Sequence, residues 1–279
     1  MKIGVRAHDY GKLLPTKLFT DIAKDDWKTV QLAIPKAIEG IDSFDDITPE
    51  IIGEIKKAIE LSGVNIAVLG VYVDPGFSDN IKRKGQTKSL LQALPQAKML
   101  EAGCVGTETS IRGEHANIDS LYRSLEEILP EAERLGVNLG IEPVHRHTLH
   151  TPELTKQMLK DFPSPRLKII FDPVNLLTPE TIDTQNDLWK RCIECFGDHI
   201  IAIHIKGGAG ELDSNLMLAD VPFASSVLDY KHLFKQLKYV NVPILREGVD
   251  PAEAANDIAF IKKCISWSKE VTPPARNPI

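Results

Sequence analysis

Eight short runs rich in Val, Ile and Leu alternate with helix-like segments along the chain, and this alternation predicts an α/β protein of the (β/α)8 TIM barrel class. Two further observations point the same way. The chain has 279 residues, against roughly 250 for a typical barrel of this kind. Four successive runs in its second half end in side chains that favour metals: Gly140-Ile141-Glu142, Ile170-Phe171-Asp172, Ala202-Ile203-His204 and Leu245-Arg246-Glu247. A charged group at the end of an apolar run needs a partner, a metal or a chemical role.

The strand candidates are Lys2–Arg6, Thr29–Ile34, Asn65–Val71, Val105–Thr109, Asn138–Glu142, Lys168–Asp172, Ile200–Lys206 and Pro243–Glu247. Each is short and near-continuously apolar, as expected of parallel strands buried on both faces. Helix signals fall between them. Residues 42–61 contain Thr48 as N-cap and Pro49 at the first helical position. Residues 117–135 stop at Gly136. Thr151-Pro152-Glu153 and Thr178-Pro179-Glu180 repeat the Thr-Pro start signal, and Asp250-Pro251 opens a last helix to about Lys269. An open doubly wound sheet would carry a Gly-rich first turn, and Ala7-His8-Asp9-Tyr10-Gly11 is not one. No composition shift divides the chain, so residues 1–279 are expected to form one domain. The tail, residues 271–279, reads as extended.

Composition narrows the function. Net charge is −6, which argues against general affinity for nucleic acid or an anionic membrane surface, since phosphates need a basic face. No apolar stretch approaches the ~20 residues of a membrane span, and no signal-peptide pattern precedes the first strand, so a cytoplasmic enzyme is expected. Of the four cysteines, Cys192 and Cys195 have C-x-x-C spacing but lie in a helix-like segment with no second pair, and read as semi-buried thiols.

In a (β/α)8 barrel the active site sits at the carboxyl ends of the strands. Glu142, Asp172, His204 and Glu247 fall there on strands five to eight. Three carboxylates and an imidazole make an oxygen-rich set for one divalent metal ion, Mn2+, Mg2+ or Co2+ foremost and Zn2+ also, with open positions suited to neutral hydroxyl or carbonyl oxygens. Arg6 and His8 share a face at the end of strand one, and Lys206 shares the inward face with His204. All three are candidates for binding substrate oxygens or anions.

The segments Gly140-Ile141-Glu142-Pro143, Phe171-Asp172-Pro173-Val174-Asn175-Leu176-Leu177, Ile203-His204-Ile205-Lys206 and Ile244-Leu245-Arg246-Glu247 resemble the xylose isomerase-like TIM barrels, and more narrowly the sugar phosphate isomerase/epimerase group. The resemblance covers essentially the whole chain. It implies a carbohydrate-metabolism enzyme, an isomerase or epimerase of a sugar or small polyhydroxy ketone. Glu142, Asp172, His204 and Glu247 would bind the metal, and the two glutamates would act as acid and base around an enediolate. It also makes a homodimer or homotetramer an expectation. His147 is selected as a substrate or supporting contact because the family often has His nearby. The sequence departs from the group in several places. Asn175 stands where epimerases often have a substrate-binding His, Thr148 where some carry Glu, and Gly207 where many have Asp. Ala224 and Ser226 replace glycines in the loop before Tyr230.

Three alternatives use the same barrel. An inosose-type dehydratase, a lyase, would expel a β-hydroxyl from the same enediolate. An endonuclease IV-like nuclease would need several additional His and Glu ligands for three zinc ions. A non-catalytic sugar-binding barrel would not need both glutamates. Residues 207–229 are too long for an ordinary connection and read as a lid, with Gly207, Gly208 and Gly210 as a flexible hinge.

Overall fold

The computed structural model describes residues 2–109, 111–113, 115–210, 218–237 and 241–269. Eight strands form a closed barrel in chain order: β1 (Ile3–Arg6), β2 (Thr29–Leu32), β3 (Asn65–Gly70), β4 (Cys104–Glu108), β5 (Leu139–Glu142), β6 (Leu167–Phe171), β7 (Ile200–Ile205) and β8 (Ile244–Arg246). Every neighbouring pair is parallel, and β8 closes on β1 with Gly4 opposite Leu245. Closure removes the edges that an open sheet would expose. The expected strands are all present, each within two residues of its expected limits.

Two layers of core hold the ring. The inner one is small: Ala67, Val68, Cys104, Ile170, Ala202 and Leu245. It closes the barrel beneath the strand ends. A Cβ at Gly106 would meet Ile170 Cδ1 at 2.8 Å, so a side chain there would displace this plug. The outer layer packs the strands against α1 (Pro15–Lys24), α2 (Ile34–Ala37), α3 (Pro49–Ser62), α4 (Asn80–Met99), α5 (Ile118–Leu135), α6 (Pro152–Asp161), α7 (Gln185–Phe196), α8 (Tyr230–Gln236) and α9 (Ala254–Ser268). Burying strands on both faces is what makes their sequences near-continuously apolar.

The helix signals operate as their chemistry requires. Thr48 Oγ1 accepts from Ile51 N–H at 3.4 Å and Thr151 Oγ1 from Leu154 N–H at 3.1 Å. Asn117 Oδ1 caps Ser120 N–H at 2.8 Å, and α5 ends on Gly136 in the left-handed region. One signal fails. Thr178-Pro179-Glu180 does not start a helix; α7 begins at Gln185. The Thr181 hydroxyl accepts from Thr178 N–H at 2.9 Å, while Thr178 C=O takes the Thr181 and Ile182 amides, so the segment closes as a turn. Before α3, Phe44–Asp46 is a separate 3-10 turn with a Ser43–Asp46 capping box.

Cys192 and Cys195 lie on α7 as free thiols. The lid segment falls partly on residues 211–217, outside the described residues, as do residues 271–279 of the tail. Of the proposed hinge glycines, Gly207 and Gly208 are close-packing positions instead. A Cβ at Gly207 would collide with the Val221 carbonyl, and one at Gly208 would meet Leu218 at 2.8 Å. Ser226 Oγ fastens the same stretch through Gly208 N–H at 3.2 Å. No helix among the described residues is long and apolar enough to cross a membrane.

Candidate active site

Each strand that ends in the cluster brings one polar group to the barrel mouth. Glu142 is the last residue of β5, and His204 lies inside β7 on its inward face. Asp172 and Glu247 immediately follow β6 and β8. All four are buried, His204 and Asp172 completely. His204 Nδ1 lies 3.2 Å from Glu142 Oε2 and 3.3 Å from Glu247 Oε1. Its Nε2 is buried with no hydrogen-bond partner among the described residues.

Local backbone chemistry fixes Asp172. Its Oδ1 accepts from Val174 N–H at 2.8 Å and Asn175 N–H at 3.2 Å, the turn that Asp before Pro173 favours. Its Oδ2 receives Lys206 Nζ at 2.8 Å. The same ammonium reaches Asn175 Oδ1 at 2.7 Å and Glu247 Oε2 at 3.7 Å. Asn175 Nδ2 in turn donates to Glu142 Oε1 at 2.5 Å. Asn175 thus joins the ammonium on one side to the glutamate on the other. A buried carboxylate group is tolerable only inside such a charge-paired web.

The web pushes the two glutamates apart. Burial raises the Glu142 pKa, and the His204 charge and hydrogen bond only partly offset it. Burial acts the same way on Glu247, but His204, Lys206, Arg6 and His8 overcome it and hold this carboxyl down at about 2. Burial alone would depress His204, yet Glu247 and Glu142 lift it to about 9. Lys206 is likewise depressed by burial and raised, on balance, by Asp172 and Glu247.

Glu142, Asp172 and His204 offer ligand atoms within 4.8 Å of one another. Glu247 adds a fourth donor beside His204. Three carboxylates and an imidazole nitrogen without a hydrogen-bond partner fit a hard divalent cation. It is the one such ligand group among the described residues, so no second and third zinc site accompanies it as the nuclease alternative requires.

The cluster opens into a cavity of about 310 Å3, near the lower end of the roughly 300–1,000 Å3 usual for small-molecule sites. Arg6, His8, Asn175, Lys206 and Glu247 line it, as the sequence suggested. His147 does not line it. It is buried behind Glu108, with Nδ1 3.5 Å from Glu108 Oε2, and so backs a residue that does face the cavity. Arg6 is tied to Asp9 at 2.8 Å and approaches Glu247 at 3.8 Å. His8 is held below the usual imidazole range, at about 4, by burial and by the charges of Arg6 and Lys36.

Six lining residues escaped the sequence reading: Gln31, Lys36, Tyr72, Glu108, Val144 and Arg146. Glu108 had a visible signal. It ends β4 as Glu142 ends β5, directly opposite it in register. The run before it, Val105-Gly106-Thr107, is too polar to mark the carboxylate as out of place. Burial, then repulsion from Glu142 and Glu247, raises Glu108 to about 8. Gln31, Lys36, Tyr72 and Arg146 sit on or beyond the strand ends and carry no mark in the sequence.

No curated protein matches the chain. Solved structures do match its fold. A D-tagatose 3-epimerase-like protein superposes with a TM-score of 0.77 at 18% identity, covering 96% of this chain and 98% of that one. A xylose isomerase-like TIM barrel protein from Mycobacterium smegmatis, in complex with magnesium, gives 0.74 at 13% identity, with 96% and 98% covered. A "probable 3-DHS dehydratase", AsbF of Bacillus anthracis, gives 0.73 at 12% identity, with 94% and 99% covered. The family described as xylose isomerase-like TIM barrel matches residues 19–264, and the chain belongs to that family.

Proposed function

We propose that this protein is a divalent-metal-dependent isomerase or epimerase of a sugar or small polyhydroxy ketone, with Glu142 and Glu247 as its acid and base. The observation that carries the reading is that Glu142 and Glu247, from two different strands, reach His204 from 3.2 and 3.3 Å, with Asp172 in the same buried cluster. The epimerase-like and magnesium-bound proteins of the same fold support it.

A divalent ion held by Glu142, Asp172, His204 and Glu247 would supply Lewis acidity to a substrate carbonyl and its neighbouring hydroxyl. Glu247, kept ionised by the cations around it, takes the proton from the carbon beside the carbonyl. Glu142, the second carboxyl beside His204, returns a proton to the opposite face of that carbon or to the adjacent carbon. The first outcome is epimerisation and the second aldose–ketose isomerisation. Asn175 orients Glu142, and Lys206 fixes Asp172.

The test is incubation with a panel of ketoses and inososes in D2O, after loading with Mn2+, Mg2+, Co2+ or Zn2+, followed by NMR. Deuterium entering the carbon beside the carbonyl, together with a new epimer or isomer, is the expected result. No exchange on any substrate with a fully loaded protein would sink the reading.

One observation favours a second reading. Glu108 faces the same cavity, its pKa raised by burial and by Glu142 and Glu247, and is placed to donate to a departing β-hydroxyl. A dehydratase would then form an unsaturated product from the same substrate class, and product analysis in the same experiment separates the two.

A further inference from the structure

The barrel mouth has a second wall, built by β1 to β3. Gln31 is 1% exposed and its Oε1 has no partner among the described residues. Tyr72 OH and His8 Nδ1 are also buried without one. All three residues line the cavity. A buried polar atom without a partner costs on the order of 1–3 kcal/mol. Three on one wall of one cavity are groups waiting for a ligand that brings hydrogen bonds to them.

The cations lining the cavity divide into two kinds. Lys206 is committed to Asp172, and Arg6 to Asp9. Lys36 and Arg146 make no ion pair with a carboxylate among the described residues. Lys36 stands exposed at the rim, over the Tyr72 ring at 4.9 Å. Arg146 is half-buried, and its Nε is sealed from solvent with no partner among the described residues.

We propose that the β1–β3 wall is the specificity subsite of the enzyme, and that its substrate is a polyhydroxy carbonyl compound bearing an anionic group, a carboxylate or a phosphate, on the part of the molecule away from the Glu142–Glu247 cluster. Gln31, Tyr72 and His8 meet the hydroxyls of the chain. Lys36, and Arg146 from the loop after β5, meet the anion at the rim. An arginine is suited to planar or bidentate oxyanions, and a lysine to a point charge. The inference rests on the isomerase reading for the reacting end of the substrate, and adds the other end.

Titration calorimetry with three non-reacting probes tests it: sorbitol, sorbitol 6-phosphate and gluconate. Because none carries a carbonyl, binding is read independently of turnover. At least one anionic probe is expected to bind ten-fold or more tighter than sorbitol, and the tighter of the two identifies the anion. In Lys36→Met/Arg146→Met that advantage should fall below three-fold, with sorbitol unchanged. Gln31→Met should weaken all three probes alike. Equal or undetectable binding of the three probes to the wild type overturns the proposal, as does an anion advantage that survives the double variant. The D2O experiment on the same batch keeps the two readings apart. Anion preference without any exchange leaves the subsite and removes the reaction; exchange on a neutral ketose without anion preference does the reverse.

Discussion

The two halves of the barrel mouth differ in how their polar groups are paired, although His204 Nε2 on β7 also lacks a hydrogen-bond partner among the described residues. On β5 to β8, charged groups partner one another: Asn175 to Glu142 at 2.5 Å, Lys206 to Asp172 at 2.8 Å, and His204 beside two glutamates. On and just after β1 to β3, Gln31, Tyr72 and His8 have buried polar atoms without partners among the described residues, and Lys36 lies over an aromatic ring. One half is largely paired before any ligand arrives, and the other leaves hydrogen-bonding groups uncommitted. Under the proposed function, reaction type and substrate choice fall to different strands of the same ring, so one can change without the other.

That division can be broken most forcefully from the organised half. Glu247→Gln should lower kcat by about 10²- to 10⁴-fold, the usual worth of a general acid or base, with an unchanged circular dichroism spectrum. Activity within three-fold of wild type would remove Glu247 from the chemistry. Metal removal comes next. A ligand at 1,000 times its Kd stabilises the folded state by about 4 kcal/mol, so chelation should lower the Tm of the wild type by several degrees. Glu142→Gln/Asp172→Asn should show no such shift, and elemental analysis should find it empty; an equal shift in both would place the ion elsewhere.

Between the halves lies His147, buried neutral behind Glu108. Burial and the charges of Arg146 and His145 lower its pKa to about 4. Its folded pKa is below its unfolded one, so its contribution is complete above about pH 6.5 and is lost as pH falls towards about 4. The unfolded chain takes up a proton there that the folded chain refuses. The loss is on the order of 1–3 kcal/mol. Urea midpoints at pH 7.5 and pH 5 should differ accordingly in the wild type and less in His147→Gln. An identical pH slope in the variant would show that His147 is not the group responsible.

The smallest effect belongs to the reserve half. Gln31→Leu removes a buried acceptor without a partner and should raise stability by roughly 1 kcal/mol, while KM rises and kcat stays within about three-fold. A gain in stability with a loss of affinity is the signature of a binding group kept at a cost to the fold. Reduced stability with unchanged KM would make Gln31 an ordinary core residue.

Much of this was legible in the chain. Strand order followed from eight apolar runs, because a parallel strand buried on both faces must be apolar along its length. The acidic half was legible for the same reason: Glu142, Asp172, His204 and Glu247 interrupt those runs. Glu108 was missed because Gly106 and Thr107 make its own run less apolar. The Thr178-Pro179-Glu180 signal misled because a Thr-Pro pair starts a helix only where the next residues are free to wind, and here the Thr181 hydroxyl closes a turn first.

The sequence by itself determined the barrel, its strand order and the ring of metal-favouring side chains, since these rest on local periodicity and on the cost of burying charge. Only the tertiary structure decided which residues face one another across the mouth. Gln31, Lys36, Tyr72 and Arg146 lie up to 115 residues apart and come to line one cavity through closure of the ring. Tertiary structure likewise placed His147 behind Glu108 and turned Lys206 onto Asp172. Pairing of this kind is fixed by distance and burial, and neither is a property of a residue and its neighbours in the chain.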